Sequence, residues 1–318
     1  MRIYVLLLCA SLLYSQPLIT RIANDRFEVT VNESTEIRML QVTDLHLGKV
    51  GFWKHDLATL RRIKRLVEMT NPHILAVTGD LFTGEKPFGS LLALTVVPFF
   101  DGLERPWLYV FGNHDPEGGF GREQIYEVFA ESQWNILGFH SHNSSDKKYD
   151  YVVDIKPENS TESWLVYAFD SGSRNGFKSI KSDQLEWYNQ ISASINPALH
   201  LRAISIFHIP LKQYQDLWDD PTCTKYGQSR EKVCYEEDDG SVYEAFVKRG
   251  EIEATFCGHD HYNHFWGTYH GGIILAYGYI SGEATKWAWP TGGKLISLPL
   301  HSGSIKIENV VPDFASAR

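Results

Sequence analysis

Five short groups of polar residues, each directly after an apolar run, constrain this 318-residue chain more than any other feature. The apolar runs are rich in β-branched and aromatic residues, and we predict that they are strands. In chain order, the runs and the groups after them are 38–43 with Asp44-Leu45-His46, 73–78 with Gly79-Asp80, 107–111 with Gly112-Asn113-His114-Asp115, 201–207 with His208, and 252–257 with Gly258-His259-Asp260-His261. Open α/β sheets bind ligands at the ends of their strands. The pattern therefore predicts one site to which all five strand ends contribute.

The residue types at these strand ends are those that bind metal ions. Seven candidate donors combine carboxylate, imidazole and amide groups, and they are Asp44, His46, Asp80, Asn113, His208, His259 and His261. Imidazole suits Zn and Fe, whereas carboxylate and amide oxygens suit Mn and other harder ions. Two such ions about 3.5–4 Å apart clamp a phosphate ester and activate the water that hydrolyses it. The sequence thus predicts a dinuclear, metal-dependent phosphoesterase.

The order of the five groups resembles the calcineurin-like metallophosphoesterases, and more closely their purple-acid-phosphatase-related branch. Residues 179–188, Phe207-His208-Ile209-Pro210 and Trp266-Gly267 also look like that branch, and the resemblance covers about residues 36–300. It implies an α/β fold of the αββα sandwich type, in which two facing mixed β-sheets are flanked by helices. The dinuclear site would lie at one rim of the sandwich.

The resemblance also implies a role for each candidate residue. The implied metal ligands are Asp44, His46 and His261 for the first ion, Asp80 as the bridge, and Asn113, His208 and His259 for the second ion. His114 would contact the phosphate and protonate the leaving oxygen. Asp115 would orient the imidazole of His114, as a carboxylate beside a catalytic histidine often does.

One position departs from the pattern of true purple acid phosphatases. Those enzymes have an iron-binding tyrosine three residues after the aspartate of the Gly-Asp group, and this chain has Thr83 there. His46 can take that coordination position. The resemblance therefore implies two metal ions, Fe, Mn or Zn and alone or mixed, without the purple colour.

The reaction that these motifs favour is hydrolysis of a small phosphomonoester. The alternative is a phosphodiesterase of the same superfamily, acting on a cyclic nucleotide, a nucleotide or a lipid headgroup. The metal motifs do not separate the two, because the discriminating contacts lie in loops. A less favoured alternative is a binding protein that has kept the fold and lost catalysis. The formal net charge of −9 argues against a nucleic-acid partner.

The first 16 residues are predicted to be a signal peptide, and residues 17–318 to be the phosphoesterase domain. Arg2 precedes an apolar run over residues 3–14, which is too short for a comfortable membrane span. We therefore expect secretion, or delivery to a lysosome- or vacuole-like compartment, without a stable membrane anchor. Asn-x-Ser/Thr sequons predict N-glycans at Asn32, Asn143 and Asn159.

Helical spacing of apolar residues predicts helices between the motif strands. Leu57, Leu60, Ile63 and Val67 mark one that should stop at Asn71-Pro72, and further helices are expected over 90–100, around 125–129 and around 185–191. Pro98 should end or bend the second of these helices. Ser241 and Glu244 suggest a capping box for a helix that ends near Gly250.

The segment 216–240 is predicted to be an added loop that shapes the substrate entrance, with Tyr226 or Tyr235 in the pocket wall. A structural flap is the equally weighted alternative. Cys223 and Cys234 close part of this loop and could form a disulfide worth about 3 kcal/mol. Cys257 lies within an apolar strand and is expected to be a buried free thiol.

Overall fold

The structure is a computed structural model that describes residues 17–51, 53–84, 90–141, 147–173, 175–285 and 290–313. The strands in these ranges are β1 (Leu18–Ala23), β2 (Arg26–Val31), β3 (Glu36–Val42), β4 (Ile74–Thr78), β5 (Trp107–Val110), β6 (Asn135–Ile136), β7 (His140–Ser141), β8 (Lys147–Lys148), β9 (Tyr151–Pro157), β10 (Trp164–Ala168), β11 (Arg202–Ile206), β12 (Lys225–Tyr226), β13 (Ile252–Cys257), β14 (Trp266–Thr268), β15 (Ile274–Tyr277), β16 (Gly293–Pro299) and β17 (Lys306–Val310). The α-helices are α1 (Trp53–Thr70), α2 (Ala93–Asp101), α3 (Arg122–Ala130), α4 (Ser182–Ile195), α5 (Gln213–Asp219) and α6 (Ser241–Arg249). The predicted signal peptide and the sequon at Asn143 lie outside the described residues.

The strands form two large mixed sheets and a small hairpin. One sheet has six strands in the order β17-β16-β3-β4-β5-β6, and the other has nine in the order β1-β2-β9-β10-β11-β13-β15-β14-β12. Strands β3 to β6 are parallel in the first sheet, as are β10, β11, β13 and β15 in the second, and antiparallel strands complete both. The predicted pair of mixed sheets is confirmed.

Helices cover the outer faces of the two sheets. Alternate residues of β10 belong to different cores, because successive side chains of a strand point to opposite faces. Trp164 and Val166 pack in the core that joins both sheets and the helices α1, α2 and α3, whereas Leu165 and Tyr167 pack against α4, α5 and α6. The layers are therefore helix, sheet, sheet and helix, as the resemblance implied.

The central parallel strands explain where the site lies. β4 is buried over all of Ile74–Thr78, which is typical of a parallel strand covered on both faces. β3, β5, β11 and β13 each end at the predicted position or one residue before it. Polar residues directly after such strands emerge at the carboxyl edge of the sheets, where they are no longer held in the ladder.

Two predicted helix ends are confirmed and one detail is wrong. α1 ends at Thr70, just before Asn71-Pro72, and α6 ends at Arg249, just before Gly250, whose φ of +78° is left-handed. Pro98 does not end α2, which continues to Asp101. The capping box is wrong, because Gly240 precedes α6 and the backbone N–H of Ser241 donates to Asp239 Oδ1 at 3.0 Å.

The cysteine predictions have mixed outcomes. Cys257 is a buried free thiol, as expected. The disulfide considered for Cys223 and Cys234 is not formed, since both are free thiols in the structure. Among the described helices, none is both long and apolar enough to cross a membrane.

A buried tyrosine joins the two sheets through the backbone. The hydroxyl of Tyr151 on β9 donates to the carbonyl of Tyr109 on β5 at 2.9 Å and accepts from the Tyr109 N–H at 3.0 Å. Tyr151→Phe removes both contacts and leaves a buried N–H and C=O without this partner, so we expect the free energy of unfolding to fall by about 1–3 kcal/mol. Urea unfolding measures the change. Tyr126→Phe is the control, because its hydroxyl accepts an exposed contact from Arg21; equal losses in the two variants would contradict this role for Tyr151.

Candidate metal centre

The predicted donors converge into two groups at the rim. The first contains Asp44 and His46, from the end of β3, and His261, from the segment after β13. Their donor atoms lie within 4.8 Å of one another. His46 Nε2 is 3.1 Å from His261 Nε2, and Asp44 Oδ1 is 3.6 Å from His261 Nε2. The six-stranded sheet thus supplies two donors of this group and the nine-stranded sheet supplies one.

The second group lies around the amide oxygen of Asn113. His208 Nε2 is 3.0 Å from Asn113 Oδ1, and His259 Nδ1 is 2.9 Å from the same atom. His208 is fully buried and Asn113 nearly so. Each of the three comes after a different strand, β5, β11 or β13.

Asp80 lies between the two groups. Its Oδ2 is 3.5 Å from His46 Nε2 in the first group and 3.4 Å from His208 Nε2 in the second. Its Oδ1 accepts a hydrogen bond of 2.8 Å from the backbone N–H of His114. One carboxylate that faces imidazoles of both groups has the position that a bridging ligand requires.

Backbone hydrogen bonds hold the segments after β3 and β4 together. The N–H of Asp44 donates to Gly79 O at 3.1 Å, and the N–H of His46 donates to Asp80 O at 2.9 Å. Gly79 has a φ of +86°, and a Cβ there would lie 2.5 Å from His208 Nδ1. A side chain at Gly112 would overlap the backbone N and the carboxylate of Asp80. Both glycines let the strand ends approach each other closely.

Unfavourable backbone conformations cluster at this rim. Asp44, His46, Asp80 and His259 have φ values of +54°, +45°, +48° and +80°, and they are four of the nine non-glycine residues with positive φ in the described chain. Left-handed backbone costs a non-glycine residue about 1–2 kcal/mol. Such conformations persist only where the surrounding structure imposes them, and they concentrate at functional sites.

The imidazoles present the nitrogens that a metal needs. The N–H at Nδ1 of His208 can donate to the carbonyl of Thr78 at 2.9 Å, which leaves Nε2 as the nitrogen turned toward Asp80. Burial lowers the pKa of both His46 and His259 to about 4. These two rings are therefore neutral at ordinary pH, and the neutral imidazole is the form that binds metal ions.

The carboxylates need positive charge in this setting. Burial opposes ionisation of Asp80, but the charge and hydrogen bond of His208 hold its pKa well below the usual range. Burial also opposes a charge on His208, but Asp80 outweighs it and raises the pKa of His208 to about 10. Two metal cations would supply more positive charge to these carboxylates than the single proton on His208 does. The mixed nitrogen and oxygen donors fit Zn, Fe or Mn.

His114 lies at the solvent side of the centre, and its partner is not the predicted one. His114 Nδ1 is 2.6 Å from Glu117 Oε2, one turn further along the 3₁₀ segment Asp115–Glu117. The prediction that Asp115 orients His114 is wrong. The Asp115 carboxylate is buried and accepts backbone N–H groups of Asp80, Phe82 and Gly112 at 3.1, 2.9 and 2.7 Å.

Segment 216–240 reaches the centre at Glu236 and Cys234. Glu236 Oε1 is 4.0 Å from His259 Nε2, and the Cys234 N–H donates to Asp260 Oδ2 at 3.0 Å. Tyr226 instead stacks on Trp266 of β14, with 5.6 Å between the ring centroids. Tyr235 is packed against the core beneath α4 to α6. The loop therefore meets the site with a carboxylate and a backbone N–H.

The two facing mixed sheets bring carboxylates and imidazoles together at a shared rim, in groups that could hold metal ions. The family described as calcineurin-like phosphoesterase matches residues 37–263, and the chain belongs to that family. This family depends on a dinuclear metal centre, which agrees with the two groups of donors found here.

Known relatives confirm the predicted branch of the family. An Arabidopsis thaliana protein named "Probable inactive purple acid phosphatase 28" is 28% identical over 285 residues, 76% of this chain and 69% of that protein. The phosphatase DCR2 of Saccharomyces cerevisiae is 24% identical over 266 residues, 72% of this chain but only 45% of that protein. A dimetal phosphatase from Danio rerio has the same fold, with a TM-score of 0.63, 12% identity, and coverage of 87% of this chain and 96% of that one.

Replacing either of the two carboxylates that follow His114, Asp115 or Glu117, by its amide should have a different effect. Glu117→Gln keeps the size of the side chain but removes the charge beside His114 Nδ1, so we expect kcat for phosphate-ester hydrolysis to fall about ten- to a hundredfold with the fold intact. Asp115→Asn removes a charged acceptor from three backbone N–H groups, so we expect a loss of about 1.5–3 kcal/mol in the free energy of unfolding. Steady-state kinetics across pH and urea unfolding measure the two effects.

The control for Glu117→Gln is Glu123→Gln, because Glu123 is an exposed carboxylate paired with Lys147 at 2.6 Å. A normal kcat and pH profile in Glu117→Gln, together with a low kcat in a stably folded Asp115→Asn, would return the orienting role to Asp115.

Proposed function

We propose that this chain is a secreted phosphatase that hydrolyses small phosphomonoesters at a pair of metal ions. The observation that carries the proposal is the position of Asp80, whose Oδ2 faces His46 in one group and His208 in the other. The names of the relatives support a phosphatase over other hydrolases of the family. Secretion rests on the predicted signal peptide and on the sequons, of which Asn159 is exposed in a turn.

The seven donor side chains are divided between two ions in this proposal. Asp44, His46 and His261 would hold one ion, and Asn113, His208 and His259 would hold the other, with Asp80 shared between them. When bound, such ions would supply Lewis-acid charge at the phosphate and lower the pKa of a water that serves as nucleophile. Fe, Mn and Zn all suit this donor set.

His114 is the group that handles the leaving oxygen. Its backbone N–H is tied to Asp80 Oδ1, so the ring is held beside the shared carboxylate. Glu117 takes the Nδ1 side of the ring, which leaves Nε2 as the nitrogen that can give a proton to the departing alcohol. The side chain of His114 is 29% exposed and can therefore meet a substrate from solvent.

A non-catalytic protein is the second candidate, because the Arabidopsis relative carries the word inactive in its name. Such a protein would have no use for a proton donor at the solvent side of the centre. The His114–Glu117 pair in this chain is the feature that favours catalysis. A phosphodiesterase is the other outcome of the assay below.

The assay compares p-nitrophenyl phosphate with bis-p-nitrophenyl phosphate, using the full chain from a secreting host, between acidic and neutral pH. We expect faster hydrolysis of the monoester, loss of activity on chelation, and recovery with one of Zn, Mn or Fe. Preference for the diester would assign the chain to the phosphodiesterases. Hydrolysis of neither compound by protein that holds bound metal would assign it to the non-catalytic proteins.

Asp80→Asn tests the shared carboxylate. The amide keeps an oxygen for the His114 N–H but loses the charge between the two groups, so we expect fewer bound ions and a kcat lower by at least about a hundredfold. Metal analysis and steady-state kinetics measure both. Asp154→Asn is the control, since Asp154 is a partly buried carboxylate on β9 that belongs to neither group. Turnover near that of the control would refute the assignment of the centre.

A further inference from the structure

A second cluster of metal-binding side chains lies at the turn after α5 and the tip of the β14–β15 hairpin. It contains Asp220, Cys223 and His270, with one donor atom from each within 4.8 Å of the others. None of the three belongs to the groups of the dinuclear centre. We propose that Asp220, Cys223 and His270 bind a third metal ion, of the zinc class, with a structural rather than a catalytic role.

The donor types select the ion. A thiolate, an imidazole and a carboxylate are the three side-chain ligands that zinc accepts, and a water can complete four-coordination. Mg²⁺ and Ca²⁺ take oxygen ligands and do not favour sulfur. The cysteine therefore distinguishes this cluster from an ordinary surface ion pair.

Hydrogen bonds fix one carboxylate oxygen of Asp220 and direct the other toward His270. Its Oδ1 accepts the N–H of Thr222 at 2.8 Å and the hydroxyl of Thr222 at 2.7 Å. These contacts fix the carboxylate and leave Oδ2 pointing at His270, with 2.7 Å between Oδ2 and Nε2. The backbone carbonyl of Asp220 also accepts from Lys225 Nζ at 2.5 Å and from the N–H of Cys223 at 3.3 Å. The turn that carries Asp220 and Cys223 is thus ordered by its own hydrogen bonds.

His270 is held from the opposite side. The hydroxyl of Tyr243 on α6 donates to its carbonyl at 2.6 Å, and the ring of Tyr269 contacts its imidazole with 4.8 Å between centroids. Cys223 packs against the same core beneath α4 to α6. Ligands on ordered backbone lose little conformational entropy when they bind an ion.

The position of this cluster suggests what the ion does. From Cys223 the chain continues to Cys234 and Glu236, and these two residues contact the segment that carries His259. An ion at Cys223 and His270 would tie the beginning of this loop to the β14–β15 hairpin. The loop would then reach the rim of the dinuclear centre from a fixed anchor.

Zinc stoichiometry after equilibrium dialysis tests the proposal. We expect about three zinc ions per chain in the parent protein and about two in Cys223→Ala and in His270→Ala. The matched control is His301→Ala, because His301 forms a similar exposed pair with Glu162 at 3.1 Å. That variant should keep about three ions, since three ligands of this kind are needed to hold one. Equal stoichiometry in all four proteins would overturn the proposal.

Alkylation of Cys223, followed by peptide mapping, gives a readout that does not depend on the dinuclear centre. Zinc should slow alkylation by at least about tenfold in the parent protein, and this protection should vanish in His270→Ala, because a metal-bound thiolate is removed from reaction. Hydrolysis by His270→Ala should stay within about twofold of the parent, as expected for a surface substitution outside the centre. Equal alkylation rates with and without zinc, or a Cys223–Cys234 disulfide in the secreted protein, would refute the third site.

Discussion

The rest of this structure depends on the contacts made by the buried carboxylate of Asp80. A charge so far from water is costly unless it is paired and hydrogen-bonded. Here the partners come from both sheets, since His46 lies after β3 of the six-stranded sheet and His208 after β11 of the nine-stranded sheet. The two sheets must therefore face each other with their strand ends aligned. Gly79 and Gly112 meet the same requirement, because a Cβ at either position would enter the space of His208 or Asp80. One alignment of the two sheets therefore both packs the sandwich and assembles the site.

This alignment requires unfavourable backbone conformations at the rim, and packing of the interior offsets their free-energy cost. The left-handed residues Asp44, His46 and Asp80 lie on two adjacent segments that bind each other through backbone hydrogen bonds. The strands before them, β3 and β4, are hydrogen-bonded on both sides and buried over their last four residues, so the local cost is offset by the core. Asp115 adds to this support, because it gathers backbone N–H groups from the ends of β4 and β5. Its role is structural, and it keeps Asp80 and Gly112 in register.

Much of the centre could be predicted because strand ends and donor types are both visible in a sequence. Buried parallel strands are continuous apolar runs, and the residues directly after them must lie at one edge of the sheet. The partner of His114 could not be predicted in the same way. Adjacent side chains in a 3₁₀ turn point in different directions, so Asp115 turns inward while Glu117, three residues after His114, returns to the side of the imidazole. The spacing of three and the intervening Pro116 were the signal for it. The Cys223–Cys234 disulfide is not formed in the structure. The sequence could not decide it for a related reason, since separation along the chain does not specify the relative direction of two Cβ atoms.

The word inactive in the name of a relative directs attention to the residues that could be lost without loss of the fold. Asp44, Asp80 and His208 are buried and paired, so their replacement would leave uncompensated charge inside the protein. Selection for stability alone would retain them, and their presence by itself is weak support for catalysis. His114 and Glu117 are different, because their side chains are 29% and 15% exposed and neither side chain joins the two sheets. A chain that had abandoned hydrolysis could exchange them at little cost. The intact pair at the solvent side is therefore a stronger sign of an active enzyme than the complete set of buried donors.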